Sequence, residues 1–468
     1  MKALSPNEPR KGTHMKLLTL PRHHQKKGSR PLSKTNHQIL VGSYAAALGL
    51  FLAGPAQAIE FGPDDMFSLN GFGEVTVTRA NNQCPSSGCQ LSPETDRQRI
   101  WADAVIPGLP LSRRDSVFTQ TQLWLGAKYD LGNGFKAKGT LSQNWRDGKE
   151  DSPGFWREKS IAISHEDHGT LTVGHMLTRT WMFADYPYGT NIGLSYAWAG
   201  TGAGYRNLTR AVRYTSPVLY VAEGDLVLEA TYDSGNSAFK INKPQFLELW
   251  AHYGKGPLSV DVMYQDTRNG TPSAFGAAVF NGPFYDPAAD SKLGKSGQSV
   301  ALIQAIYQLN PKIEISGAVR RNRWSGAYAV VALPGSPAQF NFPFNVDWFG
   351  SLNGVPNPGY SATSTDVSLG ARYRMDKWTF ATGMAYMGKA STANPSERGQ
   401  SNSALINTLQ ATYAYGHGLE FSVFGGMVHY RNKGLAPLSM PSNATINGID
   451  SRTTKSGNWF GVGAKYTF

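Results

Sequence analysis

The last nine residues, Phe460-Gly461-Val462-Gly463-Ala464-Lys465-Tyr466-Thr467-Phe468, alternate apolar with small or polar side chains without a break. Successive side chains of a β-strand point to opposite faces, so this stretch reads as a strand with one oily face and one wet face. The same parity recurs in Leu258, Val260, Val262 and Tyr264 against Ser259, Asp261 and Gln265, and in Val367, Leu369, Ala371 and Tyr373 against Asp366, Ser368 and Arg372. From residue 67 onward the chain repeats this unit, each time followed by a very short turn or a long polar connection.

In a soluble sandwich the oily face would meet another sheet and the polar face would meet bulk solvent. Here the polar parity carries Lys136, Lys138, Glu229, Asp261, Glu314, Arg320 and Arg372, which reads as the lining of a water-filled interior. Short links fall at Gly132-Asn133-Gly134, His168-Gly169, Gly254 to Pro257, Asn310 to Lys312, Asp376-Lys377 and Gly416 to Gly418, each rich in residues that tolerate tight turns. Long connections run over 79–115, 177–210, 268–297, 325–364, 390–403 and 432–458. Tight turns on one side and long loops on the other are the asymmetry of transmembrane barrels, with the short turns periplasmic.

The expected fold is therefore all-β: a transmembrane antiparallel barrel of about sixteen strands, an even number that puts both ends of the mature chain on the periplasmic side. Tyr129, Phe135, Tyr253, Tyr307, Tyr373, Trp378, Tyr415, Tyr466 and Phe468 sit beside the short turns, where an aromatic girdle meets lipid headgroups. No stretch after residue 60 is apolar for long enough to make a transmembrane helix.

The N-terminal residues read differently. Arg22, Lys26, Lys27, Arg30 and Lys34 precede the apolar run Ile39 to Ala53, and Ala56-Gln57-Ala58 has the small-x-small form of a cleavage site. Residues 1–58 are expected to be a signal peptide with a basic extension, with Met15 as an alternative start, and residues 59–468 the barrel. The formal charge of +12 falls largely in that leader: residues 59–468 hold 36 basic against 32 acidic residues, a net +4. So mild an excess gives no ground for a nucleic-acid partner.

Both cysteines lie in Cys84-Pro-Ser-Ser-Gly-Cys89, which favours a local disulfide in an exported chain over two free thiols. Six histidines follow the leader, at 165, 168, 175, 252, 417 and 429, with no nucleophile motif or zinc-binding pattern beside them. No catalytic residue, metal or cofactor is expected, and Asp286 and Asp290 read as a solvated loop.

Three stretches resemble the general bacterial porins of Gram-negative bacteria, the trimeric sixteen-stranded type. His165-Glu166-Asp167-His168-Gly169-Thr170-Leu171-Thr172-Val173-Gly174 resembles that family's fourth and fifth strands around a tight turn, Arg210-Ala211-Val212-Arg213-Tyr214-Thr215-Ser216-Pro217 its sixth strand, and Tyr466-Thr467-Phe468 its C-terminal signature. The resemblance implies that the loop after the fifth strand, here 177–209, folds inward as a constriction with acids facing a basic wall. Asp185 is the single acid of that loop, beside Tyr186 and Tyr188, and Arg179 and Arg206 add positive charge, a departure from the family's more acidic loop. The opposing basic wall would be Arg213, with Arg157 and Lys159; the parity of the fourth strand stays ambiguous because Ile161 and Ile163 share a face with Arg157.

The loop also carries Trp181, Phe183, Tyr196, Trp198 and Tyr205, rings that either stack on a ring-shaped solute or pack the loop against the wall, the second being the plainer account. The function implied is passive diffusion of small hydrophilic solutes and ions through an outer-membrane channel, with outer-membrane lipid and two further copies of the chain as partners. A substrate-selective channel is the alternative, and an outer-membrane barrel enzyme a more remote one.

Overall fold

Sixteen long strands pair in sequence order, and the last pairs with the first. The computed structural model describes residues 58–82, 112–146, 149–150, 155–179, 207–235, 237–241, 243–269, 296–326, 361–389, 391–392, 403–431, 445–446, 449–450 and 456–468. The barrel strands are β1 (Phe67–Asn82), β2 (Ser112–Gly132), β3 (Phe135–Arg146), β4 (Glu158–His165), β5 (Gly169–Leu177), β6 (Asn207–Thr215), β7 (Gly224–Asp233) and β8 (Gln245–Lys255). They continue as β9 (Leu258–Arg268), β10 (Ser296–Asn310), β11 (Ile313–Gly326), β12 (Ala362–Met375), β13 (Trp378–Met387), β14 (Ala404–Gly416), β15 (Leu419–Tyr430) and β16 (Ser456–Thr467). Every neighbouring pair is antiparallel, so the sheet closes on itself without an open edge.

The opening alternation lies where closure takes place. On β16, Phe460, Val462 and Tyr466 are exposed on the outer face, while Trp459, Lys465 and Thr467 point the other way. The strand pairs with β15 from Leu419↔Tyr466 and with β1 from Phe72↔Thr467 to Asn81↔Asn458. Phe468 extends the seam: its N–H donates to the carbonyl of Gly71 and its carbonyl accepts from the Gly71 N–H, both at 3.0 Å. Residue 71 is glycine because a Cβ there would sit 2.5 Å from the Gln122 carbonyl oxygen and 3.1 Å from the Phe468 ring.

Outer faces are apolar around the ring. Ile161, Ile163, Leu171, Val173, Val262, Ile303, Val319 and Leu369 are all exposed there, and the parity of β4 is thereby resolved. Glu158, Ser160 and Ser164 face inward, in register with Ser142, Thr140 and Lys136, whereas Lys159 shares the outer face with Ile161 and Ile163. Lys159 is therefore no part of an inner basic cluster, and Arg157, just before the strand, is buried.

Seven short turns join the strands at one end. Gly132, Asn133 and Gly134 all have φ near the left-handed region, at 82°, 53° and 81°, the geometry that matches the twist of a tight hairpin. The Asp130 carboxylate accepts from the Gly132 N–H at 2.8 Å and secures the entry. One turn absent from the sequence reading lies between β6 and β7, where a short strand, Leu219–Val221, doubles back on β7. Its corner is Ala222-Glu223, with φ of 49° and 64° and no glycine or asparagine to relieve it. The Tyr253 hydroxyl donates to the Ala222 carbonyl at 3.1 Å and Lys255 pairs with Glu223 at 2.9 Å, so neighbouring β8 holds the corner from outside.

Eight longer connections leave the opposite end, including 147–157 and 234–244, two that the sequence reading did not single out. The expected aromatic row is present at the short-turn end: Tyr129, Phe135, Tyr307, Tyr373, Trp378, Tyr415 and Tyr466 are exposed, and Trp378 lies 4.9 Å from the Tyr413 ring. Cys84 and Cys89 lie outside the described residues, as do residues 1–57.

Leu369 sits in the middle of the outer face of β12. Leu369→Arg should lower the unfolding free energy in lipid vesicles by about 2–4 kcal/mol, the cost of a cation at the bilayer midplane. A denaturant titration reads this directly, and an unchanged midpoint would contradict the outward placement.

Candidate pore wall

Inward side chains stand in rows because antiparallel register places them opposite one another across the whole ladder. One row runs Thr215, Glu229, Trp250, Met263, Leu302, Arg320 and Asp366 from β6 to β12. The next runs Arg213, Thr231, Glu248, Gln265, Val300, Asn322 and Ser364 over the same strands. Two clusters of paired charge occupy the ends of this double row, with the apolar Met263, Leu302 and Val300 between them.

The first cluster lies where the chain leaves β5 for the long connection 180–206. Arg179 donates to Glu229 through Nε at 2.7 Å and Nη2 at 2.8 Å, the two-pronged geometry that planar guanidinium and carboxylate share. The backbone N–H of Arg179 donates to Glu248 Oε1 at 2.7 Å, and its guanidinium carbon lies 5.3 Å from the centre of the Trp250 ring. Arg213 Nε is 3.0 Å from the same Glu229 carboxylate and donates to Thr231 Oγ1 at 2.8 Å, while its Nη2 donates to the Leu177 carbonyl at 2.8 Å. Thr215 completes the set with a 2.7 Å bond to Glu229 Oε2.

Beside this cluster, Met176, Leu208, Ala211 and Phe246 pack into a buried apolar knot. The Asp233 carboxylate accepts from the N–H groups of Thr209, Arg210 and Gly235 at 3.0, 2.9 and 2.8 Å. The root of the connection is thus tied to the wall by charge, packing and backbone bonds together.

The second cluster is Arg320 with Asp366, at 3.2 Å from Nε and 3.0 Å from Nη2. Asn322 donates to the same Asp366 oxygen at 2.8 Å, and the Gly388 N–H to the other at 2.9 Å. One row closer to the short turns, Asp261 gathers Trp250 Nε1 at 3.1 Å, His252 Nδ1 at 2.8 Å and Gln304 Nε2 at 3.4 Å. Nearer still to the turns, Glu314 pairs with Arg374 at 3.0 Å and Arg372 at 3.6 Å. Across the seam, Lys465 lies in register with both Glu74 and Glu420, its ammonium 4.6 Å from the Phe72 ring centre.

Of the six basic wall residues expected from sequence, Arg213, Arg320 and Arg372 occupy these inward ion pairs, and Arg157 is buried beside Ser142, whose carbonyl accepts its N–H at 2.8 Å. Lys136 and Lys138 differ from them: both lie on the inward parity of β3 near its short turn, and both are exposed. Arg179 is placed at the loop root, while Asp185, Tyr186, Tyr188 and Arg206 lie outside the described residues. Glu248 and Trp250 were not among the residues expected on the wall, and His252 was named only as a histidine without a role. Their signal was available in Leu247, Leu249 and Ala251, which alternate with them on the outer face of β8.

A closed sheet of sixteen strands with a lipid-facing apolar exterior and a charged inner wall is an outer-membrane channel. The chain belongs to the Gram-negative porin family, whose model matches residues 45–435. A search of the curated proteins finds no match to it. Among solved structures it is similar to the anion-selective porin from Comamonas acidovorans, at 13% identity and a TM-score of 0.55 over 86% of this chain and 99% of that one. It is similar also to the loop L8 deletion mutant of OmpT, an outer membrane protein of Vibrio cholerae, at 12% identity and a TM-score of 0.53 over 86% of this chain and all of that one. A third is the outer membrane channel DcaP of Acinetobacter baumannii, at 12% identity and a TM-score of 0.51 over 87% of this chain and 99% of that one. Identities this low establish a shared fold, and with the family they place the chain in the outer membrane of a Gram-negative bacterium.

Removing one member of a buried charge cluster leaves its partners uncompensated. Glu229→Gln should therefore cost about 3–5 kcal/mol in unfolding free energy, because two guanidiniums lose their shared counter-charge and an amide NH2 replaces one acceptor oxygen. Adding Arg213→Gln to that variant should recover part of the loss in a double-mutant cycle; strict additivity would show that the two residues act independently.

Proposed function

We propose that this protein is a passive porin through which small hydrophilic solutes and ions diffuse, with a preference for anions. The observation that carries the reading is the closed sixteen-strand ladder with a polar inner face. At that circumference side chains do not fill the interior, and water and solutes can pass. The paired charges of the double row form local dipoles with little net field, so the exposed lysines weigh most on a mobile ion. Lys136 and Lys138 supply two such cations at the periplasmic mouth, and neither has a side-chain partner among the described residues.

The anion-selective Comamonas porin supports the direction of this preference, and a trimer form of the Vibrio cholerae OmpT supports three-fold assembly. The residues proposed to shape the pore are Lys136, Lys138, Arg157, Arg213, Arg320 and Arg372 on the wall, with Arg179, Asp185, Tyr186, Tyr188 and Arg206 on the inward connection. Residues 1–58 are proposed to act as the export signal and to be cleaved. Transport of this kind requires no bond to be made or broken, so the reading assigns the chain no catalysis, cofactor or metal.

Reconstitution into a planar bilayer tests the proposal. Conductance should appear in discrete steps grouped in threes, and the reversal potential across a potassium chloride gradient should carry the sign of chloride preference. The double variant Lys136→Gln/Lys138→Gln should move that potential toward cations. The shift should shrink as salt rises from 0.1 to 1 M, where the Debye length falls from about 10 to about 3 Å. A silent insertion, or a potential that ignores both lysines, would overturn the proposal.

A further inference from the structure

The outer face changes character toward the end with the long connections, and on β9 to β12 the register shows how. An apolar row runs Val262, Ile303 and Val319, all exposed, to the half-buried Val367. Two residues further along each strand the row reads Tyr264, Ala301, Arg321 and Thr365, and two further still Asp266, Ser299, Arg323 and Thr363. Two guanidiniums thus stand on one strand face, about 7 Å apart at their backbones, flanked by three hydroxyls.

Arg321 lies across its neighbour, donating through Nη1 to Thr365 Oγ1 at 2.8 Å and through Nη2 to Thr363 Oγ1 at 3.1 Å. Those bonds hold the fork flat against β12 and leave its other N–H groups directed away from the threonines. Arg323 is exposed and has no hydrogen bond or ion pair among the described residues. The one carboxylate in the two rows, Asp266, is engaged at 3.2 Å by Arg268. At the other end of the same strands the outer face is apolar and uncharged, with Tyr307, Ile315 and Tyr373 exposed. The positive charge therefore belongs to one rim of this wall, the rim at the outer leaflet.

We propose that Arg321 and Arg323, with Ser299, Thr363 and Thr365, bind the phosphate groups of a phosphorylated lipid of the outer leaflet. Guanidinium forks match phosphate oxygens in pairs, and hydroxyls supply further donors. A lipid fits better than free phosphate because the patch runs without a break into exposed Val262, Ile303 and Val319, which lie where the acyl chains of the same molecule would run. The site faces lipid and is independent of the pore, so it stands or falls apart from the transport reading.

Native mass spectrometry of the detergent-purified protein tests it, with lipid A as the probe, dephosphorylated lipid A as one control and inorganic phosphate as a competitor. Wild type should retain lipid A, and Arg321→Gln/Arg323→Gln should retain it about thirtyfold less tightly, since each cation near an anionic headgroup contributes a factor of about five. Dephosphorylated lipid should bind wild type as weakly as lipid A binds the variant, and millimolar phosphate should not displace lipid A. Unchanged single-channel conductance of the variant would show that its barrel is intact. Equal retention by wild type and variant, equal retention of the two lipids, displacement by phosphate alone, or a changed oligomeric state in the variant would each overturn the proposal.

Discussion

In hydrocarbon every backbone N–H and C=O needs a partner from the chain itself, and each one left over costs several kcal/mol. A sheet can meet that demand only by closing, which makes the seam between β16 and β1 the contact on which the rest depends. Closure also removes choice from the side chains. Once Phe72 stands opposite Thr467, the parity of all sixteen strands follows from register, and one slip would turn Val462 inward and Lys465 into lipid.

Within that frame the inner wall manages its charges by pairing them. Glu229 receives Arg179, Arg213 and Thr215, and Asp366 receives Arg320, Asn322 and the Gly388 N–H. Such groups satisfy one another where water is scarce and fix the position of the chain that carries them. The exposed Lys136 and Lys138 do the opposite, leaving their charge unpaired among the described residues and open to the lumen. One inner surface thus combines a locked belt with an unlocked mouth.

Much of the architecture was legible in the sequence because its determinants are local. Alternation in 258–265, 366–373 and 460–468 names two faces without any knowledge of partners, and Gly132-Asn133-Gly134 names its own turn. The turn at Ala222-Glu223 was not legible, because its conformation is held by Tyr253 and Lys255 from the next strand, not by its own residues. The same reason hid the charge belt: Arg179 and Glu229 are 50 residues apart, and only register brings them together. Arg213, Arg320 and Arg372 could be placed on the inner wall from parity, but not assigned to Glu229, Asp366 and Glu314. Lys159 shows the limit of parity at a short strand, where Ile161 and Ile163 settle the face only once the partner strand is known.

The two bonds between Phe468 and Gly71 join the residue that follows β16 to the first strand of the barrel. Chain synthesis and export deliver Gly71 long before Phe468, so for most of its journey the nascent polypeptide carries a first strand with one bare side. Sealing is deferred until β16 has followed β1 across. During that interval the sticky margin has to be kept from other chains by an escort, and a truncated product lacking its last strand would arrive at the membrane permanently unsealed.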